Sequence, residues 1–385
     1  MGKTTNALEE LLKISRSGQD FQIEFEQLVN NHSHTINELF GKVTRISALD
    51  VLFKKLYANL GELKDSPYDY AYDQVVSFGE LISTMIVYAF LKDKGQNVSF
   101  LDAREMIITD DTYREGIVNW ERTIISVKDK IEKKDHKHIY ITQGFIGSNQ
   151  SGKTTTLGRE GSDFTAAIIS FCIDAENMAI WKDVPGILTA DPRLFENVAK
   201  IDRLSYREAI EMTYYGAKVI HPKTIKPIQN KNIPLWVKSF LNPNGIGTLI
   251  SGEIELTYPP MIVIEPEQAL IHISTKDFSF VGEEHLSKLF QIFNNHRIRV
   301  NMMRNTAISF SVCTNNLEDR IDNLRKDLQE DFNMVVDHGL ELITIRHYTE
   351  DLVKKLKKGK IQLFEERLRQ TIQMVVKDVP DMIRK

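Results

Sequence analysis

The sequence predicts an α/β protein with a mainly parallel sheet covered by helices on both faces, followed by a smaller α+β module. The first part rests on strand patterns that alternate with helical ones, an order that favours a parallel, two-sided sheet. The strand patterns are 138–145, 178–181, 219–221 and 235–237, and the helical patterns between them are 162–175 and 206–215. The second part rests on a strand, helix, strand, strand order after residue 269.

The composition excludes several classes of protein. The 385 residues exceed one typical domain, so we expect at least two hydrophobic cores. The 49 basic and 53 acidic residues give a charge of −4, which offers no footprint for nucleic acid or an anionic membrane. The longest apolar runs, such as 81–91, are about half the roughly 20 residues that span a bilayer. The two cysteines, Cys172 and Cys313, show no metal-ligand or disulfide spacing. We therefore expect a cytoplasmic protein.

Apolar residues at three- and four-residue spacing predict helices over 6–63. The segment 251–260, SGEIELTYPP, has the glycine, proline and polar residues of a domain boundary. It separates a predicted first domain, 1–255, from a second region, 261–385. In that region we predict a helix at 283–293, strands at 298–303 and 306–313, a helix at 317–328, a strand at 340–346, and at least one more of each within 352–376.

Residues 147–154, GSNQSGKT, match the pattern of a phosphate-binding P-loop, G-x-x-x-x-G-K-T. In a P-loop a helix starts at Gly-Lys-Thr, so that its N-terminus faces the phosphate. Here TTTLGREG follows, with β-branched residues and two further glycines, and no later strand supplies a convincing acidic residue for magnesium. We therefore predict a hairpin and a solvated position for Lys153.

Six segments together carry a resemblance to a known family. They are GKTTN at the start, SFGELIST from Ser77, ITQGFIGSNQSGKTTTLGREGSDFTAA from Ile141, WKDVPGILTADPR from Trp181, GAKVIHPKTIKP from Gly216 and NPNGIGTLI from Asn242. In order and spacing they resemble the aspartokinases. The resemblance implies the amino-acid-kinase fold and ATP-dependent phosphorylation of the L-aspartate β-carboxylate with Mg²⁺, at the head of lysine, threonine and methionine synthesis. That carboxylate is already ionised at neutral pH, so binding groups that neutralise charge would do most of the catalysis.

The resemblance also implies which residues bind the amino acid. Glu80 would accept the ammonium group, and Arg159 would grip the α-carboxylate with its planar fork. Thr5 and Ser162 would add hydrogen bonds, and Asp163 would orient the reacting groups or the metal. Read without the resemblance, Glu80 is a solvated carboxylate at a helix start, and Ser162 and Asp163 are an N-cap and a first-turn acid.

For the nucleotide, the resemblance implies contacts from Asp183 and Arg193, with Lys218 near the phosphates and in a catalytic role. Gly186 would permit the turn. Asp191 and Arg193 could equally form a solvated ion pair in a surface turn.

Three features depart from this expectation or have a structural alternative. His221 before Pro222 is expected to be a structural residue at a strand end. Glu160 stands where the family commonly has glycine. Aspartokinases usually begin with a strand ending in Lys-Phe-Gly-Gly-Thr-Ser, which holds the ATP phosphates, and the sequence has no such segment. A mistaken start, a fragment boundary or degeneration would each account for this difference.

The region after 269 resembles the ferredoxin-like ACT modules through which aspartokinases sense amino acids, and a tandem pair is expected. The resemblance implies lysine or threonine as effector, bound near Phe278, Val300, Asn301 and Thr306, and a homodimer or larger oligomer formed through these modules. The alternative is that Asn301 and Thr306 are hairpin polar residues.

Two rival functions stay open at this point. One is a non-catalytic subunit that binds amino acids, which the missing phosphate-binding strand favours. The other is a different amino-acid kinase, such as a glutamate or acetylglutamate kinase, which the combination of SFGE, LGREGSD and ACT-like segments disfavours.

Overall fold

The computed structural model of this protein describes residues 2–131, 137–217, 220–252, 257–277 and 279–379. Packing divides the chain into two compact units. The first comprises Met1–Ile180, Ile220–Trp236 and Ile250–Gly252, and the second comprises Trp181–Val219, Val237–Leu249 and Glu253–Lys385. The sequence boundary between 255 and 261 stays a prediction.

Five helices open the first unit, as the spacing of apolar residues predicts. They are α1 (Thr4–Arg16), α2 (Gln22–Phe40), α3 (Ser47–Glu62), α4 (Tyr68–Val76) and α5 (Phe78–Asp93). Each turns one apolar face toward a shared core, in which Leu8, Leu12, Leu56 and Ile82 are fully buried.

The helices α4 and α5 form one nearly continuous helix, because the residue between them, Ser77, keeps the right-handed helical conformation (φ −56°, ψ −24°). Taken together as Tyr68–Asp93, this helix is long and apolar enough to cross a bilayer by length and composition, although 44% of its most apolar window is buried. Core helices of globular proteins pass the same test. The expected absence of a membrane segment therefore stays a prediction.

The rest of the first unit contains short strands between helices. The elements are β1 (Val98–Leu101), a 3-10 turn (Ala103–Glu105), α6 (Trp120–Lys130), β2 (Ile139–Thr142), β3 (Ile146–Ser148), β4 (Thr154–Thr156) and α7 (Gly161–Cys172). Strands β1 and β2 are parallel. Strands β3 and β4 form an antiparallel hairpin across the P-loop-like segment, with Ile146 opposite Thr156. The predicted hairpin is therefore confirmed, and the helix starts only at Gly161.

The middle of the chain adds β5 (Met178–Lys182), β6 (Arg203–Ser205), α8 (Tyr206–Tyr214), α9 (Pro222–Asn230), β7 (Leu235–Ser239) and β8 (Thr248–Ser251), with strands in the order β5-β7-β8-β6. The strand predicted at 219–221 is wrong for its described part. Val219 lies outside the described residues, and His221 caps α9, where its ring nitrogen accepts the Lys223 N–H at 3.2 Å. Pro222 favours this helix start because its fixed φ suits the first helical position.

The C-terminal region forms one antiparallel sheet in the order β10-β11-β9-β12-β14-β13. Its elements are β9 (Met261–Thr275), α10 (Glu283–Asn295), β10 (Val300–Asn305), β11 (Ser309–Asn315), α11 (Glu318–Leu328), β12 (Phe332–Arg346), α12 (Glu350–Lys357), β13 (Lys360–Arg367) and β14 (Thr371–Asp378). The predicted strand, helix, strand, strand order is confirmed. Strand β12 begins eight residues before the predicted strand at 340.

The two long strands β9 and β12 run through both halves of this sheet. They pair from Met261 opposite Arg346 to Thr275 opposite Phe332, and the register shifts near Leu340. One half of the sheet packs in a core with residues of α10 and α11, and the other with residues of α12. The second half is completed by β13 and β14.

A buried ion pair joins α8 to the sheet within the second unit. The Arg346 guanidinium donates to both carboxylate oxygens of Glu208, at 2.9 and 2.6 Å, and to the Thr371 hydroxyl at 2.7 Å. The side chains of Arg346 and Glu208 are 9% and 6% exposed. This two-pronged geometry is the strongest form of a carboxylate–arginine contact.

Candidate active site

Glu80 lies in the first turn of α5, where α1 comes close. A Cβ added at Gly79 would lie 3.3 Å from atoms of Thr4 and Leu8, so this glycine allows the start of α1 to pack against the start of α5. Thr5, the predicted hydrogen-bonding residue, is exposed in the first turn of α1 beside Thr4.

The Glu80 carboxylate is partly buried. Burial raises its pKa from an ordinary value near 4.5. Within the described chain, no hydrogen bond or ion pair engages this carboxylate, and the bonds made at Glu80 use its backbone N–H and carbonyl. The alternative of a solvated carboxylate fits Glu80 only in part, because its side chain is half-buried.

The loop GREGSD turns sharply into α7. Gly158 and Glu160 both have left-handed φ values, 78° and 54°, and Glu160 is the N-cap residue of the helix. The N-cap role considered for Ser162 is therefore wrong, since Ser162 already lies inside α7. Asp163 lies in the first helical turn, as expected. Glu160 occupies a left-handed conformation in which glycine is unstrained, which fits the glycine that the resemblance implies at this position.

Two glycines hold this loop against the end of β2. A Cβ at Gly144 would lie 2.8 Å from the Cα, Cβ and Oγ atoms of Ser162, and one at Gly161 would lie 2.7 Å from the Phe145 ring. No larger residue fits either position without movement. The exposed Arg159 lies two residues before Gly161, and no described side chain pairs with it. The structure thus places Arg159, Ser162 and Asp163 in one short loop and helix start.

Gln143 connects β2 to α5 from inside the protein. Its fully buried side chain accepts the Ala103 N–H at 2.8 Å and donates to the Thr84 hydroxyl at 3.1 Å. The Thr84 hydroxyl in turn donates to the Glu80 carbonyl at 2.7 Å. This chain of bonds fixes α5 one turn beyond Glu80. Sequence analysis did not single out Gln143, although the ITQGF motif contains it.

Sequence analysis also did not identify Asp73 on α4. It is fully buried and accepts three hydrogen bonds, from the Thr156 N–H at 2.9 Å, the Thr156 hydroxyl at 2.8 Å and the Arg114 N–H at 2.9 Å. Burial raises its pKa, and the bonds from Arg114 and Thr156 oppose that rise.

The residues predicted to bind the nucleotide belong to the second unit. Gly186 has φ 148°, and a Cβ there would lie 2.5 Å from the Thr248 hydroxyl, so the turn requires glycine. Asp183 is exposed. Arg193 pairs with Asp191 at 2.7 Å, and its side chain is 81% exposed, which agrees with the surface-turn alternative. Lys218 lies outside the described residues.

The predicted effector residues do not gather at one point. Val300 and Asn301 begin β10, whereas Thr306 follows its end, about 15–20 Å along an extended strand. Asn301 donates to the side chains of Gln268 and Asn315, and Thr306 bonds with Ser309 across the hairpin. These contacts agree with the alternative of hairpin polar residues. Phe278 lies outside the described residues.

No group of three or more histidine, cysteine or acidic side chains suited to a metal occurs among the described residues. Lys153 is exposed in the β3–β4 turn, where its N–H bonds to Asn149 at 2.8 Å. Cys172 and Cys313 are free and buried.

Comparison with known proteins identifies relatives of this chain. The family model described as "Amino acid kinase family" matches residues 1–239. Lysine-sensitive aspartokinase 3 of Escherichia coli (strain K12) is 33% identical over 243 residues, which are 62% of this chain and 54% of that protein. Aspartokinase 1, chloroplastic, of Arabidopsis thaliana is 33% identical over 328 residues, 81% of this chain and 56% of that protein. The chain thus spans just over half the length of these curated relatives.

Solved structures give the same picture of the fold. E. coli aspartokinase III in complex with aspartate and ADP (R-state) matches with a TM-score of 0.82 and 24% identity, over 98% of this chain and 88% of that chain. The same enzyme with lysine and aspartate (T-state) matches with a TM-score of 0.79 and 25% identity, over 99% and 88%. The predicted fold class, an amino-acid-kinase α/β fold followed by an α+β module, is confirmed.

Proposed function

This chain belongs to the amino acid kinase family, and from that premise we propose that it is an aspartate kinase. The reaction transfers the γ-phosphoryl group of ATP to the β-carboxylate of L-aspartate and yields 4-phospho-L-aspartate. The names of both curated relatives support aspartate as the acceptor.

The observation that carries the proposal is the state of Glu80. A carboxylate in a partly buried position costs free energy unless donors or a cation compensate it. Glu80 has no such partner among the described residues, and its pKa is raised by burial alone. An ammonium group of the acceptor would supply the missing charge.

Arg159 supplies the opposite sign for the α-carboxylate. Its guanidinium can donate two parallel hydrogen bonds to a carboxylate. Ser162 and the first N–H groups of α7 would add donors, since no side chain caps that helix. An amino acid held at both charged groups would keep its β-carboxylate free to attack.

The nucleophile needs no general base because the β-carboxylate is ionised at neutral pH. The barrier comes from bringing it to an anionic γ-phosphate, so cations and N–H donors must reduce the repulsion. Asp163 would orient the reacting groups at the start of α7. Lys218 would contact the phosphates, and Asp183 and Arg193 would bind the nucleotide.

Mg²⁺ would neutralise charge on the phosphates of ATP. The described residues offer no cluster of three acidic or histidine ligands, and Mg²⁺ in kinases is commonly held by one or two carboxylates together with the phosphates. Asp163, in the first turn of α7, would be one such carboxylate.

The C-terminal sheet and its helices would form the regulatory part, with lysine or threonine as effector. A relative that is named lysine-sensitive and a similar structure solved with lysine support this choice. We further expect a cytoplasmic homodimer or larger oligomer, with ACT-like modules at the interface.

The test is hydroxamate formation by the purified chain with ATP, Mg²⁺ and either L-aspartate or L-glutamate, together with calorimetric titration of both amino acids. We expect aspartate-dependent turnover at least tenfold above the rate with glutamate. Preference for glutamate would show that glutamate, and not aspartate, is the acceptor. Binding of aspartate or lysine without turnover would leave a non-catalytic subunit, and absence of both binding and turnover would refute the proposal.

A further inference from the structure

Strand β4 has an outer edge that α4 covers. Its three threonines are buried, and β3 pairs with only one side of the strand. Buried backbone groups must find partners, because an unpaired one costs about as much as a lost hydrogen bond. The Gln74 side chain supplies two of these partners, since its amide donates to the Thr154 carbonyl at 2.7 Å and accepts the Thr154 N–H at 3.3 Å.

Asp73 supplies the next partners along the same edge. Its carboxylate accepts both the N–H and the hydroxyl of Thr156, while the Thr156 carbonyl accepts the Gly116 N–H at 2.8 Å. Asp73 also accepts the Arg114 N–H, and this bond attaches the segment at Arg114, which lies against the loop at Gly158. A Cβ at Gly158 would lie 3.3 Å from the Arg114 carbonyl. Asp73 therefore joins α4, the segment at Arg114 and the end of β4.

Both ends of this connection lead to residues of the proposed acceptor site. Asp73 precedes Glu80 by seven residues on a continuous helix, which is about two turns, or roughly 10 Å, on nearly the same face. Thr156 precedes Arg159 by only three residues. The bond between Asp73 and Thr156 thus spans the two segments that carry the opposite charges.

We propose that Asp73 is a positioning residue that sets the separation of Glu80 and Arg159, and hence the affinity for the amino-acid acceptor. This rests on the proposed function of that site. Gln143 provides a second anchor, one turn beyond Glu80, through its bond to Thr84. Two anchors on either side of Glu80 prevent the helix from sliding or turning relative to the loop.

The kinetic consequence is selective. Asp73, Glu80 and Arg159 all belong to the first unit, whereas Asp183, Gly186 and Arg193 belong to the second. Loss of the Asp73 bonds should therefore raise KM for the amino acid and leave KM for ATP nearly unchanged. Weakening one charge-assisted hydrogen bond to the acceptor, by moving Glu80 relative to Arg159, corresponds to about a tenfold effect or more.

Two substitutions separate the hydrogen bonds from the charge. Asp73→Ala leaves two N–H groups and one hydroxyl without an acceptor. In Asp73→Asn the carbonyl oxygen can accept from both N–H groups, and the Thr156 hydroxyl can turn to accept from the amide, so that the connection persists. Asp93→Ala removes an exposed carboxylate from the same continuous helix and is the matched control.

The experiment measures kcat and both KM values, with urea unfolding of each variant. We expect Asp73→Ala to raise KM for aspartate about tenfold or more, Asp73→Asn to recover most of the loss, and the control to match the parent protein. Equal changes in both KM values, or a loss of stability with an unchanged KM for aspartate, would overturn the proposal.

A pair at Thr156 covers the case in which Asp73→Ala does not fold. Thr156→Val removes one of the three bonds, and Thr156→Ser keeps it. We expect KM for aspartate to rise severalfold in the first and to stay near the parent value in the second, and similar values in both would contradict the proposal. Inactivity of the parent chain toward aspartate would instead refute the proposed function, which separates the two failures.

Discussion

The helix Tyr68–Asp93 carries two buried or partly buried carboxylates that the fold treats in opposite ways. Asp73 is fully buried and accepts three hydrogen bonds. Glu80, seven residues later, is more accessible, yet no described donor engages its carboxylate. Burial raises the pKa of both groups, but only at Asp73 do protein donors oppose the rise.

This difference separates a structural carboxylate from one prepared for a ligand. A fold can satisfy a buried charge completely, as at Asp73, and then the group contributes to rigidity. Where the fold leaves a charge unsatisfied, stability is lost unless a bound cation restores it, and strained or unsatisfied groups of this kind gather at functional sites. Carboxylates with different partners should therefore respond differently to substitution.

The largest expected effect is a loss of stability at a third buried carboxylate, Glu208. The partner of this carboxylate is the Arg346 guanidinium, a cation, and not a set of neutral donors. Glu208→Ala leaves the Arg346 guanidinium buried without its two-pronged partner, which should cost about 3–5 kcal/mol of unfolding free energy. Urea unfolding of the purified chain measures this loss. Glu211→Ala, which removes a longer 3.4 Å contact to Arg346, is the control, and an equal loss in both variants would contradict the distinction.

The second effect concerns catalysis at Glu80. Glu80→Gln keeps the shape and removes the charge that the acceptor ammonium group would meet, so kcat/KM for aspartate should fall about 100-fold, or roughly 2.7 kcal/mol. The hydroxamate assay measures it. Glu105→Gln changes an exposed carboxylate of the same unit and should have no effect. Unchanged kcat/KM in Glu80→Gln would remove the basis for the ammonium contact.

The same substitution, Glu80→Gln, should increase the free energy of unfolding at neutral pH although it lowers activity. Because the pKa of Glu80 is raised in the folded state, the folded protein binds more protons than the unfolded chain between the ordinary and the raised pKa. Unfolding free energy should therefore fall as pH rises through that window, and Glu80→Gln should lack this fall. The variant should then be more stable than the parent protein at neutral pH. Denaturation at pH 4 and pH 7 compares them, and an identical pH dependence would count against the raised pKa.

The smallest effect is expected where both charges are exposed. Asp191→Asn breaks the surface pair with Arg193, and such pairs contribute about 0–1 kcal/mol. Stability should change by less than about 0.5 kcal/mol. The nucleotide affinity should stay equal or rise, since Asp191 would no longer compete with phosphate for Arg193. Calorimetric titration with ATP measures this, and a large loss of stability would show that the pair is structural.

Sequence analysis identified the motifs because local patterns carry them. SFGE and GREGSD contain Glu80, Arg159 and Ser162 within short segments, and the glycines there are required by close backbone approach. The hairpin in place of a P-loop was likewise visible from β-branched residues and glycines. The functional roles of these residues stay predictions.

The features that sequence analysis missed have distant or irregular causes. Asp73 lies in an unremarkable helical run, YAYDQVV, and its role follows only from Thr156, 83 residues later. The N-cap of α7 was misplaced because Glu160 adopts a left-handed conformation that a charged residue rarely favours. The start of β12 was missed because Asp337, His338 and Gly339 interrupt its alternation at a register shift.

The long pairing of β9 with β12 has a consequence for how the C-terminal region folds. The two strands amount to one hairpin whose loop is the whole of residues 276–331, and their first partners, Thr275 and Phe332, stand far apart in sequence. Closing so long a loop carries an entropic cost before any pairing repays it. The β10–β11 hairpin is local, so it can form first and shorten the effective loop. Folding of this sheet should therefore begin at the β10–β11 hairpin and end with the pairing of β9 and β12.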